Sequence, residues 1–250
     1  MIFLPYFLGL PLRRGTTPLK LAPECEDWLV EAMKHGANDE FWEQNNIIDY
    51  PERYKDMPVY LVGGWYDSWA SNTTANYRAL AGRIAGPVYL IMGPWIHGGQ
   101  GNSAHGQVSF GPQAAISDPR AWRLEWYDHW LREVDNTVGK SAPFATRVRI
   151  FVMGSGDSRK TDDGKLNHGG FWRDEHEWPL ARTQYTEFYL QPGGGLSAQK
   201  PLAKAASTDF VFDPDDPVPS IGGNISSGND IMVQGAWDQK GGDHIWNFTD

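Results

Sequence analysis

The sequence predicts an α/β fold that gives way, toward its C-terminus, to a region built of strands alone. Three observations carry this. "PVYLVGGW" (58–65) and "GPVYLIMG" (86–93) are apolar runs of strand length, and a helical pattern, "SNTTANYRALAGRI" (71–84), separates them. Strand, helix, strand over about 35 residues marks a parallel sheet. Beyond residue 145, "TRVRIFVMG", "GFWRDE", "TQYTEFYLQ" and "TDFVFD" are short runs parted by Gly, Pro and Asp. Such strands suggest a sandwich or jelly roll.

The elements follow in order. The opening "MIFLPYFLGLPLRRG" is apolar first and basic second. A secretory leader runs the other way, and the apolar part is too short to span a bilayer. It is expected to be a buried helix or loop whose beginning is missing. Residues 24–44 place Trp28, Leu29, Ala32, Met33, Phe41 and Trp42 at helical spacing around a "HGAND" turn, which predicts two short amphipathic helices. The run at 58–65 is apolar throughout, which suits a strand buried on both faces. Ser71 is the expected N-cap of the next helix, with Ala75, Leu80 and Ile84 on its inner face. After a Gly-rich loop, Asp118 as N-cap and Pro119 at the first helical position begin "PRAWRLEWYDHWLREV". Trp122, Trp126 and Trp130 recur every four residues, a packing stripe, with Asp128 and His129 beside it. "DNTVGKSAP" (135–143) is expected to be a linker.

Composition narrows the function. At 40% hydrophobic and 13% aromatic residues the chain can bury a core, unlike a disordered segment. Its 22 Lys and Arg against 31 Asp and Glu give a net charge of −9 and a pI near 5.2. Nucleic acid and anionic membranes want a basic face and are not expected as partners. Cys25 is the only cysteine, so no intrachain disulfide forms; a buried, inert thiol is expected there.

In open α/β sheets, functional groups gather just past the carboxyl ends of the strands. Asp67, in "GGWYDSW", and His97, in "GPWIHGG", hold that position after successive strands. A carboxylate on one imidazole nitrogen fixes the tautomer and leaves the other nitrogen free as a base. Asp before His also fits the chain order of α/β-hydrolases, with the serine upstream. No G-x-S-x-G occurs, and "GSGDS" (154–158) has the wrong spacing. Pattern alone leaves Asp67 and His97 as a pair or as two unrelated loop residues. A metal site of Asp67, His97 and His105 is the weaker alternative, because no helical spacing fixes His105. "DSRKTDDG" and "DPDD" match no calcium loop and read as solvated turns. "QPGGG" has no helix behind it to cradle phosphate. "NTT", "NIS" and "NFT" are glycosylation sequons only in a secretory context. His35, His168, His176 and His244 give no site signal.

Taken as a set, "PVYLVGGWYDSW", "GPWIHGG", "FGPQAA", "WYDHWLREVDN" and "VRIFVMG…WRDEHEWPL" resemble the CocE/NonD hydrolases, over roughly residues 24–220. That family holds cocaine-esterase-like and Xaa-Pro dipeptidyl-peptidase-like serine hydrolases. The resemblance implies a remnant of a helical cap at 1–55 and the C-terminal half of an α/β-hydrolase domain at 56–136. A truncated jelly roll at 145–250 would follow. It implies Asp67 as the triad acid and His97 as the triad base, with the nucleophile and part of the oxyanion hole on segments preceding Met1. The chain alone is then expected to be inactive. Family members that take α-amino esters carry carboxylates two and three residues after the triad Asp; here Trp69 and Ala70 stand there. A small ester, amide or short peptide is the expected partner, with no cofactor and no metal, and nothing in the sequence opposes self-association. The alternatives are a binding module built on the jelly roll and a pseudo-hydrolase that lacks its serine.

Overall fold

The computed structural model describes residues 11–54, 56–202, 207, 209–214, 221–224 and 233–239. The apolar opening, half of "DPDD", most of "NIS", all of "NFT" and His244 lie outside the described residues. The chain divides into two compact units, Met1–Tyr54 and Lys55–Asp250.

In the first unit, α1 (Pro23–Ala32) and α2 (Glu40–Glu43) flank the expected turn. Asp39 caps α2 by accepting the Phe41 N–H at 3.1 Å. His35 sits between Asp39, 2.6 Å from Nδ1, and Glu31, 3.4 Å from Nε2, and stacks on Phe41. Cys25 is exposed, contrary to expectation. The inward position belongs to its neighbour Glu26, 3% exposed. The Glu26 carboxylate accepts from the Thr17 hydroxyl at 2.7 Å and from the Gly15 N–H at 2.9 Å. These bonds hold its pKa below the usual value. A buried carboxylate is tolerated when its oxygens are satisfied, and no hydrophobic periodicity announces it.

The second unit is mixed α/β. Its main sheet has the order β1 (Val59–Tyr66), β2 (Val88–Ile96), β5 (Val148–Met153), β7 (Gly170–Glu175). The first three strands run parallel and β7 antiparallel. Inside the sheet, β2 is buried from Val88 to Trp95. By contrast β1 is half-buried over Val59–Val62, because it is the outer strand among the described residues, and not covered on both faces as expected. The crossover helix α3 (Ala70–Leu80) buries Tyr77, Ala79 and Leu80. It starts one residue before Ser71, with Trp69 as N-cap. The Asp67 carboxylate accepts the Trp69 N–H at 2.9 Å, a job the Ser71 hydroxyl does not take.

Two short strands, β3 (Ala104–His105) and β4 (Val108–Ser109), follow β2 and join β6 (Leu166–Asn167) in a small sheet. Then α4 (Pro119–Arg132) begins at Asp118, which accepts from the Arg120 and Ala121 N–H groups. The tryptophan stripe packs as expected: Trp126 joins the core of Tyr89, Ile91, Trp95, Ile116, Val138 and Phe144, with Trp122 and Trp130 against it. Val138 belongs to the expected linker, which is docked instead of free. Asn136 Nδ2 ties it to the Glu125 carbonyl at 2.7 Å. Farther on, "TQYTEFYLQ" yields only β8 (Tyr189–Leu190), paired with β9 (Leu196–Ser197). The described part of "TDFVFD" has no strand, and Phe210, Val211 and Phe212 are exposed. Among the described residues no helix is long and apolar enough to cross a membrane.

One irregularity places the strand ends. The register of β1 against β2 starts at Val59↔Val88, an offset of 29 (88 − 59), and ends at Tyr66↔Ile96, an offset of 30 (96 − 66). Between Gly64↔Gly93 and Tyr66↔Ile96, Pro94 and Trp95 together oppose Trp65. This is a β-bulge, one of the few strand positions where proline is accommodated. It brings the Trp95 carbonyl so close that a Cβ on Gly64 would lie 2.1 Å from its oxygen.

Two outcomes follow. Gly64→Ala should overpack the bulge and cost about 1–3 kcal/mol, read as a lowered midpoint in urea. His105, 3% exposed, has its pKa pushed down to about 4 by burial. The unfolded chain therefore binds a proton that the folded chain refuses, so stability is full above about pH 6.5 and falls toward pH 4. With a shift from 6.5 to about 4, that loss is about 3 kcal/mol. His105→Gln should flatten the acid limb of a melting-temperature profile. An unchanged limb would show that His105 does not control it.

Candidate active site

Asp67 is the first residue after β1 and His97 the first after β2. Each directly follows one member of the last registered pair, Tyr66↔Ile96. His97 Nδ1 lies 3.0 Å from Asp67 Oδ2. The carboxylate only accepts, so Nδ1 carries a proton in this contact, and in the neutral ring Nε2 is the acceptor. The Asp67 side chain is 13% exposed and that of His97 57% exposed, so the carboxylate is sheltered while the imidazole faces outward. Oδ1 of Asp67 is taken by the Trp69 N–H, so hydrogen bonds from two directions fix the carboxylate.

The segment Asp67-Ser68-Trp69 does more than carry the acid. The Trp69 indole meets the His97 ring edge to face, with centroids 4.8 Å apart. The Ser68 hydroxyl donates to the Asn224 carbonyl at 2.5 Å. The strand–helix turn is closed by the Asp67 N–H on the Gly64 carbonyl and the Ala70 N–H on the Asp67 carbonyl. Sequence reasoning singled out Trp69 only as the absence of a carboxylate and passed over Ser68. A serine beside the acid gives no signal until its distant partner is known.

On the other side, the turn after His97 is held by the Gly99 N–H on the Ile96 carbonyl at 3.0 Å. A Cβ at Gly99 would fall 2.6 Å from His105 Cε1, so the buried imidazole lies directly beneath this turn. His105 is therefore a neutral packing residue and takes neither oxygen of Asp67. Among the described residues, no group of three His, Cys, Asp or Glu side chains is arranged to hold a metal ion. His129 Nδ1 faces the Val134 carbonyl, Asp128 pairs with Arg132, and His35 belongs to the first unit. A cavity lined by Gln113, Ile116, Trp122, Pro143, Arg149 and Trp172 shares no residue with the Asp67–His97 pair.

Comparison with known proteins points the same way along most of the chain. Residues 12–99, which contain Asp67 and His97, match the family model of the X-Pro dipeptidyl-peptidase (S15 family). Residues 145–218 match that of the X-Pro dipeptidyl-peptidase C-terminal non-catalytic domain. The chain is similar to a cocaine esterase of Rhodococcus sp. (strain MB1 Bresler), 28% identical over 227 residues, covering 84% of this chain and 35% of that protein. It also resembles the crystal structure of an aminopeptidase from a marine sediment Thaumarchaeota archaeon. There the TM-score is 0.51 at 26% identity, covering 82% of this chain and 31% of the other. The chain thus spans about a third of the length of these relatives. Two family models in sequence order, together with an esterase and a peptidase as relatives, support one family for residues 12–99 and 145–218, the CocE/NonD, X-Pro dipeptidyl-peptidase-like family.

Proposed function

We propose that this chain supplies the acid and the base of a serine hydrolase that cleaves esters or amides through an acyl-enzyme. The observation that carries the reading is the 3.0 Å contact between His97 Nδ1 and Asp67 Oδ2 at adjacent strand ends. Asp67 holds the imidazole in the tautomer whose Nε2 is a free acceptor. His97 Nε2 takes the proton of a serine hydroxyl as its oxygen attacks the substrate carbonyl. It then returns that proton to the departing alcohol or amine, and water repeats the cycle on the acyl-enzyme. In this reading the serine lies outside these 250 residues. Residues 1–55 belong to a helical cap, 56–136 to the C-terminal half of the hydrolase domain, and 145–250 to a jelly roll.

The substrate side follows from what stands beside the acid. Trp69 and Ala70 offer no carboxylate to hold an α-ammonium group. The Trp69 indole, half exposed and against His97, presents an apolar wall instead. Acyl esters and amides without an α-ammonium group fit this wall better than α-amino esters.

The test needs a protein uniting this chain with its serine-bearing segment, assayed on a p-nitrophenyl ester and an Xaa-Pro p-nitroanilide. Asp67→Asn should lower kcat by roughly 10⁴, because the amide stabilises the wrong tautomer. His97→Ala should cost roughly 10⁶. The 250-residue chain alone should show no turnover that a serine-directed inhibitor blocks. Undiminished turnover in His97→Ala would remove this histidine from the chemistry, whereas a united wild-type protein without turnover would favour the binding-module reading.

A further inference from the structure

The residues around the Asp67–His97 pair form a closed ring, and half of it comes from the C-terminal part of the chain. Ser68 donates its hydroxyl to the Asn224 carbonyl at 2.5 Å. The neighbouring Gly223 exchanges two backbone hydrogen bonds with Gly235, at 2.7 and 3.0 Å. Ala236 pairs with Gly106, and its carbonyl accepts the Gln107 N–H at 2.8 Å. Gln107 reaches back through its side chain, whose Oε1 accepts the Asp238 N–H at 2.9 Å. His105, next to Gly106, packs beneath Gly99, two residues beyond His97. From there the 3.0 Å bond between His97 and Asp67 returns to the start.

We infer that the segments 221–224 and 233–239 act as a strap that positions the Asp67–His97 pair, with Ser68 as the positioning residue on the acid's side. This rests on the reading of Asp67 and His97 as a working pair. Position 68 is one residue from the acid and position 106 lies on the hairpin that supports the base. The strap therefore sets the separation of the two loops from outside the sheet. Hydrogen bonding within β1 and β2 ends at Tyr66 and Ile96, so beyond those residues the sheet itself no longer fixes where the loops point. A hydrogen bond between two side chains on adjoining loops demands a separation held to a few tenths of an ångström, and the strap joins the Asp67 loop to the hairpin that lies beneath the His97 loop. The matched C-terminal non-catalytic model ends at residue 218, so the strap lies just beyond it.

The experiment uses the 250-residue chain itself, labelled with ¹⁵N-histidine, and reads the ring nitrogens of His97 by NMR at a pH where the ring is neutral. The wild-type chain should show one tautomer, with the proton on Nδ1. Ser68→Ala removes the hydroxyl. Gly235→Ala acts at the other anchor, where φ is +104° and a Cβ would lie 2.7 Å from the Gly106 nitrogen. Each should lower the ratio of the two tautomers about five- to tenfold, the weight of roughly one net hydrogen bond. Ser68→Thr, which keeps the hydroxyl, should restore the wild-type signal. The His105 signal should stay in place throughout and reports that the fold is intact. If Gly235→Ala moves that signal, Ser68→Ala decides alone, since it deletes a single hydroxyl at the surface. Tautomer averaging already present in the wild type would sink the pair itself. A single tautomer retained in Ser68→Ala would overturn the strap and leave the pair standing.

Discussion

The bulge in β2 is the constraint on which the candidate site depends. Two parallel strands in unbroken register at an offset of 29 would set Asp67 opposite Ile96, an apolar residue that offers no hydrogen bond. One extra residue, accommodated at Pro94–Trp95, changes the offset to 30 and sets Asp67 opposite His97. In a strand a slip of one residue sends each side chain to the other face, so the bulge decides whether the carboxylate meets the imidazole at all. Its demands radiate outward. Gly64 must lack a Cβ where the Trp95 carbonyl approaches, and Trp95, fully buried, donates its indole N–H to the Ala114 carbonyl at 2.7 Å. The core that the α4 tryptophans join is assembled around that same indole. Gly64, Gly93 and Pro94 are thus consequences of one geometric requirement.

Around this rigid centre the polar groups are arranged by how far they stand from water. Asp67 is sheltered and satisfied from two sides, His97 faces outward, and His105 is buried and kept neutral beneath the loop. Burial disfavours charge on an imidazole, so three residues with similar sequence surroundings acquire three different characters. The family match covers this region and the strand-rich region as separate models. Yet the main sheet runs through both, since β5 and β7 continue the parallel pair begun by β1 and β2.

Much of this was legible in the chain itself. The parallel pair, its crossover helix, the Asp118-Pro119 helix start and the tryptophan stripe follow from local rules: apolar runs of strand length, side-chain capping and a repeat near four. The positions of Asp67 and His97 at strand ends follow from the same rules. Burial assignments that depend on neighbours were not legible. "PVYLVGGW" is apolar throughout, but how far it is covered is set by its place at the edge of the described sheet. Cys25 is exposed where burial was expected, and its neighbour Glu26 is buried because the Thr17 hydroxyl and the Gly15 N–H sit where a carboxylate can be satisfied. The "DNTVGKSAP" segment reads as a linker by composition, while Val138 and Phe144 bind it to the core.

What the sequence determined by itself was the kind of chemistry available: an acid and an imidazole, each placed at a strand terminus by hydrophobic patterning and turn residues that act over a few positions. Tertiary structure decided that the two meet, and what holds them there. The one-residue register shift, the Ser68–Asn224 bond across 156 residues and the packing of His105 beneath Gly99 join segments far apart in the chain. Such contacts form only when the ends of different strands are brought together, so no local window of the sequence carries their signal.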